Sequence, residues 1–195
     1  MLFALIVAVE ILRASGYLDF AVAKSVTRFH STRSFAAALL AFSGLLACLV
    51  TNDVTLFVVI PFTIIAGRFS DFDVEDAVVL EIIAANLIGC LTPLGNPQNL
   101  FLFHRSGWSA ATFVAVMSPF VLWCAAGLAA SLFLLGPSRV MRANATELPA
   151  RNGRAAIAGL LCFALVLLEV AHVIRAWPAA LAALVAALGG WLLLL

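Results

Sequence analysis

Residues 35–66 read FAAALLAFSGLLACLVTNDVTLFVVIPFTIIA, with an apolar arm on each side of the polar triplet Thr51-Asn52-Asp53. A membrane-spanning helix needs about 20 apolar residues, so this segment is too long for one simple span. Each arm alone, at roughly 13 to 16 residues, is too short to cross. These lengths predict a re-entrant hairpin, in which two helices joined by a polar tip enter and leave the membrane on one face.

The composition places the whole chain in a membrane. Hydrophobic residues make up 65% of the 195 residues, charged residues 11%, and the mean hydropathy is +1.14. Soluble domains are about 45–50% apolar and about 25% charged, so a soluble domain, a disordered chain and a disulfide scaffold are excluded. Lipid-embedded segments satisfy their own backbone hydrogen bonds as helices. We therefore expect an all-α polytopic protein whose partner is the lipid bilayer. The net charge of +1 gives no indication of nucleic-acid binding.

Three regions follow from the apolar runs and their interruptions. Residues 1–34 predict a short membrane helix and then, over 17–33, an amphipathic helix in the membrane interface. The region 35–109 holds the hairpin 35–66 and a helix over 74–104 that is broken in its middle. The last region, 110–195, predicts three transmembrane helices with a polar loop at 136–154.

The basic residues predict the topology. Arginine and lysine concentrate in the loops 13–34 and 136–154, and cytoplasmic loops carry this excess. If 35–66 crossed the membrane once, these two loops would lie on opposite sides. A re-entrant hairpin puts both loops in the cytoplasm, although two full crossings would give the same parity. We therefore predict a multi-pass protein of the inner (plasma) membrane with both loops cytoplasmic.

A second polar break, TPLGNPQN at 92–99, interrupts the neighbouring apolar run. Non-helical backbone at membrane depth is tolerated only where it is buried or lines a cavity, and two broken helices at one site are a recurring transporter design. Free N–H groups at half-helix N-termini suit an anion, and free carbonyls at C-termini suit a cation. The breaks thus predict sodium beside an anionic substrate. The alternatives are a capped kink at 51–53 and a proline-rich loop outside the membrane at 92–99.

Two polar side chains in the apolar runs have more than one interpretation. Asp53 is the carboxyl group that we expect at membrane depth, where it would ligate sodium, carry a coupling proton or cap the second arm. Asn86 would face the site or form hydrogen bonds between helices.

The sequence gives no sign of an enzyme. It contains no HExxH zinc pair and no GxSxG nucleophile. Since Asp53 is the only carboxyl group that we expect clearly at membrane depth, a catalytic dyad has no second member. The four cysteines lie in apolar stretches without CxxC spacing, which favours small buried side chains over a metal or redox site; they are Cys48, Cys90, Cys124 and Cys162. We expect neither catalysis nor a cofactor.

Two strings carry a family resemblance, LLACLVTNDVTLFVVIPFTI at 45–64 and IAANLIGCLTPLGNPQNLFLF at 83–103. They resemble the ion transporter superfamily, which includes divalent anion:sodium symporters, citrate transporters, arsenite permeases and sodium/proton antiporters. The similarity is strongest to citrate-transporter-like anion permeases and extends from ILRASGYLD at 11–19 onward. It implies an inverted-repeat transporter of the elevator type, usually a homodimer, in which each repeat supplies a re-entrant hairpin and an unwound helix.

The resemblance also implies a set of site residues. The symporter tip reads Ser-Asn-Thr, and Asp53 departs from that pattern, which is unfavourable beside a dianion unless a cation lies between them. The substrate-binding residues that it implies are Thr51, Asn52, Thr92, Gly95, Asn96 and Asn99, and the sodium ligands are Asn52, Asp53 and Asn96.

By the same resemblance this chain is an N-terminal half fragment, lacking the first helices of repeat one and all of repeat two, and therefore holding half a site. The apolar ends lead to the same expectation of a longer protein. The expected function is secondary active transport of a small anion, coupled to sodium first and to protons second. The alternatives are arsenite efflux, sodium/proton antiport and, in another class, a membrane scaffold subunit that transports nothing.

Overall fold

The computed structural model describes residues 2–71, 73–134, 138–140 and 151–170. These residues form eight α-helices and no named β-strand, which confirms the all-α prediction. The helices are α1 Leu2–Ala14, α2 Tyr17–Val26, α3 Thr32–Leu49, α4 Asn52–Phe69, α5 Val74–Gly89, α6 Pro97–Ser106, α7 Ala110–Leu134 and α8 Gly153–Val170. The chain divides into two compact units, one of residues 1–25 and 145–195 and the other of residues 26–144.

Three of the described helices are long and apolar enough to cross a membrane: Thr32–Leu49, Asn52–Phe69 and Ala110–Phe133. The third is the most apolar and exposes large side chains along its length, among them Trp123 and Leu122. A helix that is apolar all round suits a lipid environment. The protein is therefore an all-α polytopic membrane protein, as predicted.

The first unit packs α1 against α8. A Cβ added to Gly159 would lie 2.9 Å from Leu12 Cγ, so the small residue lets the two helices approach closely. Asn152 caps α8, because its Oδ1 accepts a hydrogen bond from the Ala155 N–H at 3.2 Å. The Arg151 guanidinium lies 4.4 Å from the centre of the Phe20 ring.

The amphipathic helix expected over 17–33 is shorter in the structure. It ends at Val26, and Ser31 then begins a new helix as its N-cap, accepting a hydrogen bond from the Ser34 N–H at 3.2 Å. A serine in this role satisfies an N–H group that the first turn leaves free, so the helical segment restarts there. Residues 27–31 therefore connect two helices instead of continuing one.

In the second unit, α3 and α5 lie side by side and run in the same direction. Their contact depends on small residues: a Cβ on Gly44 would lie 2.6 Å from Ile88 Cδ1, and one on Gly89 would lie 3.2 Å from Ala47 Cβ. Helix α7 completes this core. The buried cluster shared by the three helices is Ala36, Leu40, Leu80, Ala84, Leu128 and Leu132.

Helices α3 and α4 form the hairpin, with an extended tip at Val50 and Thr51. Each arm has 18 residues, more than the roughly 13 to 16 expected, because α3 begins before residue 35 and α4 continues through Pro61 to Phe69. Each arm is therefore long enough to cross the membrane, and the prediction that both are too short is wrong. Re-entrance of the hairpin stays a prediction.

The start of α3 and the end of α7 lie at the same end of the second unit. The Thr32 N–H donates to the Arg139 carbonyl at 3.0 Å, and Arg33 Nε donates to the Leu132 carbonyl at 3.1 Å. Residues of the loops 13–34 and 136–154 thus meet, and their placement on one side of the membrane stays a prediction. That this side is cytoplasmic stays a prediction, and most of loop 136–154 and the sixth apolar run at 177–195 lie outside the described residues.

The broken helix consists of α5, turns at residues 90–96, and α6. We expected the break at 92–99, but Pro97 begins α6, so Asn99 belongs to a helix and not to the loop. Proline suits the first helical position, and it holds the preceding residue extended, as the Asn96 angles of φ −141° and ψ 147° show. Gly107, at φ 67°, ends α6 in the left-handed conformation that glycine adopts readily.

Candidate substrate and ion site

The hairpin tip contacts the helix break directly. The Asn52 N–H, at the first residue of α4, donates to the Gly95 carbonyl oxygen at 2.9 Å. A Cβ on Gly95 would lie 1.9 Å from the Gly89 carbonyl oxygen and 2.8 Å from that of Ala47. Only glycine allows the loop to approach α3 and α5 this closely. The two polar interruptions in the sequence are therefore one structural feature.

Two further predicted residues hold the break in shape. The Thr92 hydroxyl donates to the Cys48 carbonyl at 2.7 Å, and this bond ties the loop to the last turn of α3. Asn99 is buried, and its Nδ2 donates to the carbonyls of Thr92 at 2.9 Å and Gly89 at 3.4 Å. The side chain of Asn99 thus lies under the loop as part of its support.

Asn86 connects the tip to the break and was not among the predicted site residues. The Asn52 Nδ2 donates to its Oδ1 at 2.9 Å, and the Asn96 Nδ2 donates to its backbone carbonyl at 3.2 Å. The signal in the sequence was an amide within one helical turn of the break. Of the two interpretations left open, the structure shows hydrogen bonding between helices, and it places that bonding at the site.

Four helix ends converge here, and the N-caps of two of them differ from those of three other described helices. Helices α3 and α5 end at the tip and the break, while α4 and α6 begin there with N-caps Thr51 and Asn96 that make no side-chain cap hydrogen bond. By contrast, Ser31, Asp73 and Ser109 each accept a bond from the first turn that they precede. The first turns of α4 and α6 therefore present positive dipole ends that no cap side chain covers.

The site contains a buried amide oxygen, Asn96 Oδ1, that accepts no hydrogen bond among the described residues. Asn96 is 6% exposed, and its Nδ2 donates to Asn86 and Cys90, while its Oδ1 is left without a partner in that part of the chain. A buried polar atom without a partner is costly and needs an explanation. Amide oxygens are ligands for hard cations, so this atom fits a bound cation. Asn52 Oδ1, in comparison, accepts from the Asp53 N–H at 2.9 Å.

The side chains of Thr51 and Asp53 form fewer hydrogen bonds than those of the other predicted polar residues. Asp53 is exposed, and among the described residues its carboxylate has no hydrogen-bond or ion-pair partner. The N-cap of α4 is Thr51, so the interpretation of Asp53 as a capping carboxylate is wrong. The Thr51 carbonyl accepts from the Thr55 N–H at 3.0 Å, but no contact joins its hydroxyl to the break within the described part of the chain.

The cysteines near the site are engaged as thiol donors. Cys48 Sγ donates to the Ile88 carbonyl at 3.3 Å, and Cys90 Sγ donates to the Asn86 carbonyl at 3.2 Å. Neither forms a disulfide. In the described ranges no group of three or more His, Cys, Asp or Glu side chains is placed to hold a metal ion. The Cys48 thiol thus joins the ends of α3 and α5, while the Cys90 thiol bonds back to the last turn of its own helix α5.

A second carboxyl at depth was missed. We expected Asp53 alone, yet Asp53 is exposed and Glu81 of α5 is fully buried. Glu81 has four apolar residues on either side, AVVL before it and IIAA after it. That pattern was visible in the sequence, but it did not indicate which helix face would be covered.

Apolar helices with two joined interruptions define a polytopic membrane protein with a broken-helix site, the type found in secondary transporters. Comparison with known proteins gives the family. Residues 1–193 match the citrate transporter family, and the chain belongs to that family.

Three relatives illustrate the similarity. The chain is 42% identical over 105 residues to the inner membrane protein YbiR of Escherichia coli, covering 54% of the chain and 28% of the relative. It is 40% identical over 125 residues to an uncharacterized transporter of Methanocaldococcus jannaschii, a match that covers 63% of the chain and 35% of the relative. It is 24% identical over 148 residues to a 46 kDa membrane protein of Mycobacterium leprae, a match that covers 72% of the chain and 34% of the relative.

The chain thus spans about a third of the length of these relatives. The family description and the names of the relatives are those of transporters and membrane proteins, which agrees with the expectation that this is not an enzyme. No solved structure matches the chain.

Proposed function

We propose that the protein is a secondary active transporter that moves a small anion, either a di- or tricarboxylate or an inorganic oxyanion, across the membrane with sodium as the coupling ion. The observation that carries this proposal is the hydrogen bond from the Asn52 N–H to the Gly95 carbonyl at 2.9 Å. It brings the uncapped N-termini of α4 and α6 to one place, where an anion would meet two positive helix ends.

The substrate would be bound by the polar groups around those helix ends. The N–H groups of the first turns other than those of Asn52 and Asp53, which already have partners, would bind its charged oxygens, as in other anion sites at helix N-termini. The residues that we assign to this role are Thr51, Asn52, Thr92, Gly95, Asn96 and Asn99. Thr92 and Asn99 shape the loop, and Asn52 and Gly95 form its contact with the tip.

Sodium would be bound beside the substrate. The unpartnered Asn96 Oδ1 supports this assignment, together with the Asn52 amide oxygen and the exposed Asp53 carboxylate. A carboxylate next to an anionic substrate is repulsive, and a cation between them would remove that repulsion. Asp53, which departs from the symporter pattern, thereby becomes part of the reason to expect a coupled cation.

The mechanism we propose is alternating access of the elevator type in a homodimer of the inner membrane, as the family resemblance implies. Both the hairpin and the broken helix lie in one compact unit, residues 26–144, which supports their movement as a single body. Binding of substrate and sodium at helix ends within that unit would let the unit carry both together.

The test is thermal unfolding of the full-length protein in detergent, with and without sodium, against citrate, succinate and sulfate. A ligand that binds only the folded state stabilises it by RT ln(1 + [L]/Kd), about 2.7 kcal/mol at a hundredfold excess over Kd. We expect stabilisation by one anion that depends on sodium, and its loss in Asn96→Ala. Gln98→Ala, an exposed amide in the same helix turn, is the matched control and should respond like the wild type.

Other outcomes distinguish the alternatives. A response to sodium or pH without any anion effect would indicate sodium/proton antiport and contradict anion symport. A response to arsenite that disappears when Cys48 and Cys90 are both changed to alanine would indicate arsenite transport. No response in the wild type, together with unchanged substrate flux in Asn52→Ala and Asn99→Ala, would favour a scaffold subunit.

A further inference from the structure

Among the described residues, Glu81 is a fully buried carboxyl group outside the candidate site. Its side chain is 0% exposed in α5 and faces Thr63 of α4, which is also 0% exposed. The Thr63 Oγ1 lies 2.5 Å from Glu81 Oε1, while Oε2 is buried without a partner among the described residues. One hydroxyl is therefore the whole polar environment that the structure shows for this carboxyl group.

In the described part of the chain no opposite charge pairs with Glu81. The titratable groups on the helices that pack against α5 are Arg33 and Cys48 on α3, Asp53 and Arg68 on α4, and Cys124 on α7. None of them forms a hydrogen bond or ion pair with Glu81. The other acids of α5, Asp73, Glu75 and Asp76, lie in or before its exposed first turn.

The geometry decides which form of the carboxyl fits. An ionised carboxylate in an apolar interior needs a cation or several donors, and this site supplies one hydroxyl. In the neutral acid, Oε1 accepts the hydrogen bond from the Thr63 hydroxyl, and the proton is on Oε2, which then carries no charge and has no partner among the described residues. A sodium ion in this place would need several oxygen ligands, which the described contacts of Glu81 do not provide.

We propose that Glu81 is a proton-binding site at the α4–α5 interface, and that it holds a proton whenever these helices pack as they do in this structure. The site is separate from the tip and the break but lies on the same two helices. Thr63 is about three turns along α4 from Asn52, and Glu81 is about two turns before the end of α5.

This placement links protonation of Glu81 to transport, an inference that rests on the proposed function. Movement of α4 against α5 at the tip would alter the burial of Glu81, and a carboxyl that meets water releases its proton. The pH would then bias the packing of the two helices that form the site. In Glu81→Gln, where the side chain is neutral at every pH, the transport rate should lose its pH dependence, while Glu75→Gln should keep it.

The direct test is infrared spectroscopy of the full-length protein in lipid vesicles at neutral pH, where exposed carboxyl groups are ionised. We expect a carboxylic-acid C=O band that is lost in Glu81→Gln and retained in Glu75→Gln, a matched change at an exposed position of the same helix. Thr63→Val keeps the carboxyl and removes its partner, so the band should persist and move to higher frequency.

Two results would overturn the proposal. One is a wild-type spectrum without a carboxylic-acid band, and the other is a band that is unchanged in both Glu81→Gln and Thr63→Val. If Glu81→Gln does not fold, the shift in Thr63→Val still identifies the group. Since the spectrum requires no substrate, its outcome is independent of whether the protein transports an anion.

Discussion

The backbone N–H of Asn52 donates to the carbonyl oxygen of Gly95 at 2.9 Å, across 43 positions of sequence. This bond joins the start of α4 to the loop before α6, and side chains reinforce it from both directions: the Thr92 hydroxyl reaches Cys48, and the Asn52 amide reaches Asn86. A backbone hydrogen bond thus joins the two parts of the site, and polar side chains add further hydrogen bonds around it.

Gly95→Ala should destabilise the protein strongly. Its Cβ would lie 1.9 Å from the Gly89 carbonyl, a backbone atom that cannot move aside as a flexible side chain can. We expect a loss of about 1–3 kcal/mol, typical of overpacking, measured by thermal unfolding in detergent. Gly127→Ala on α7 is the control, because nothing lies within 4 Å of its added Cβ. Equal behaviour of the two variants would contradict the close approach at residue 95.

Thr92→Val should lower stability by about 1 kcal/mol, since it removes one hydrogen bond to the Cys48 carbonyl and keeps the side-chain shape. Thr92→Ser retains the hydroxyl and should recover most of the loss. The measurement is the unfolding midpoint of the three proteins under one condition. If valine and serine behave alike, the hydroxyl does not hold the loop to α3.

Asn99→Ala should lower the stability of the protein by removing the side chain that supports the loop at the helix break. The change removes a buried amide that donates to two carbonyls and leaves both without that donor, at a cost of about 1–3 kcal/mol. Gln98→Ala, at the neighbouring exposed position, should change stability little. Unfolding midpoints compare the two variants, and a larger effect at residue 98 would show that the helix register of α6 is different.

Asp53→Asn should separate a functional role from a structural one. Since its carboxylate is exposed and has no partner among the described residues, stability without ligands should change by no more than about 0.5 kcal/mol. The stabilisation by sodium should fall. Asp71→Asn, also exposed, is the control and should leave the sodium response intact. An unchanged sodium response in Asp53→Asn would remove Asp53 from the ion site.

Much of the local structure was accessible from the sequence because it depends on nearby residues. The triplet at 51–53 and the prolines around Gly95 predict where helices stop, and the residue types of Asp73 and Ser109 favour the N-cap positions at which their cap hydrogen bonds are found. The position of the second break was wrong by a few residues, because the helix-starting preference of Pro97 decided its end.

The sequence by itself determined that this is an all-α membrane protein with two polar interruptions. The lengths of apolar runs and the positions of helix-breaking residues are local properties, and in lipid an apolar run must form a helix to satisfy its backbone hydrogen bonds. Only the tertiary structure decided that the interruptions touch, that Asn86 joins them, and that Glu81 is buried while Asp53 is exposed. Those facts depend on which helix faces meet. In this protein glycines and alanines at 44, 47, 89 and 95 set that packing by allowing close approach.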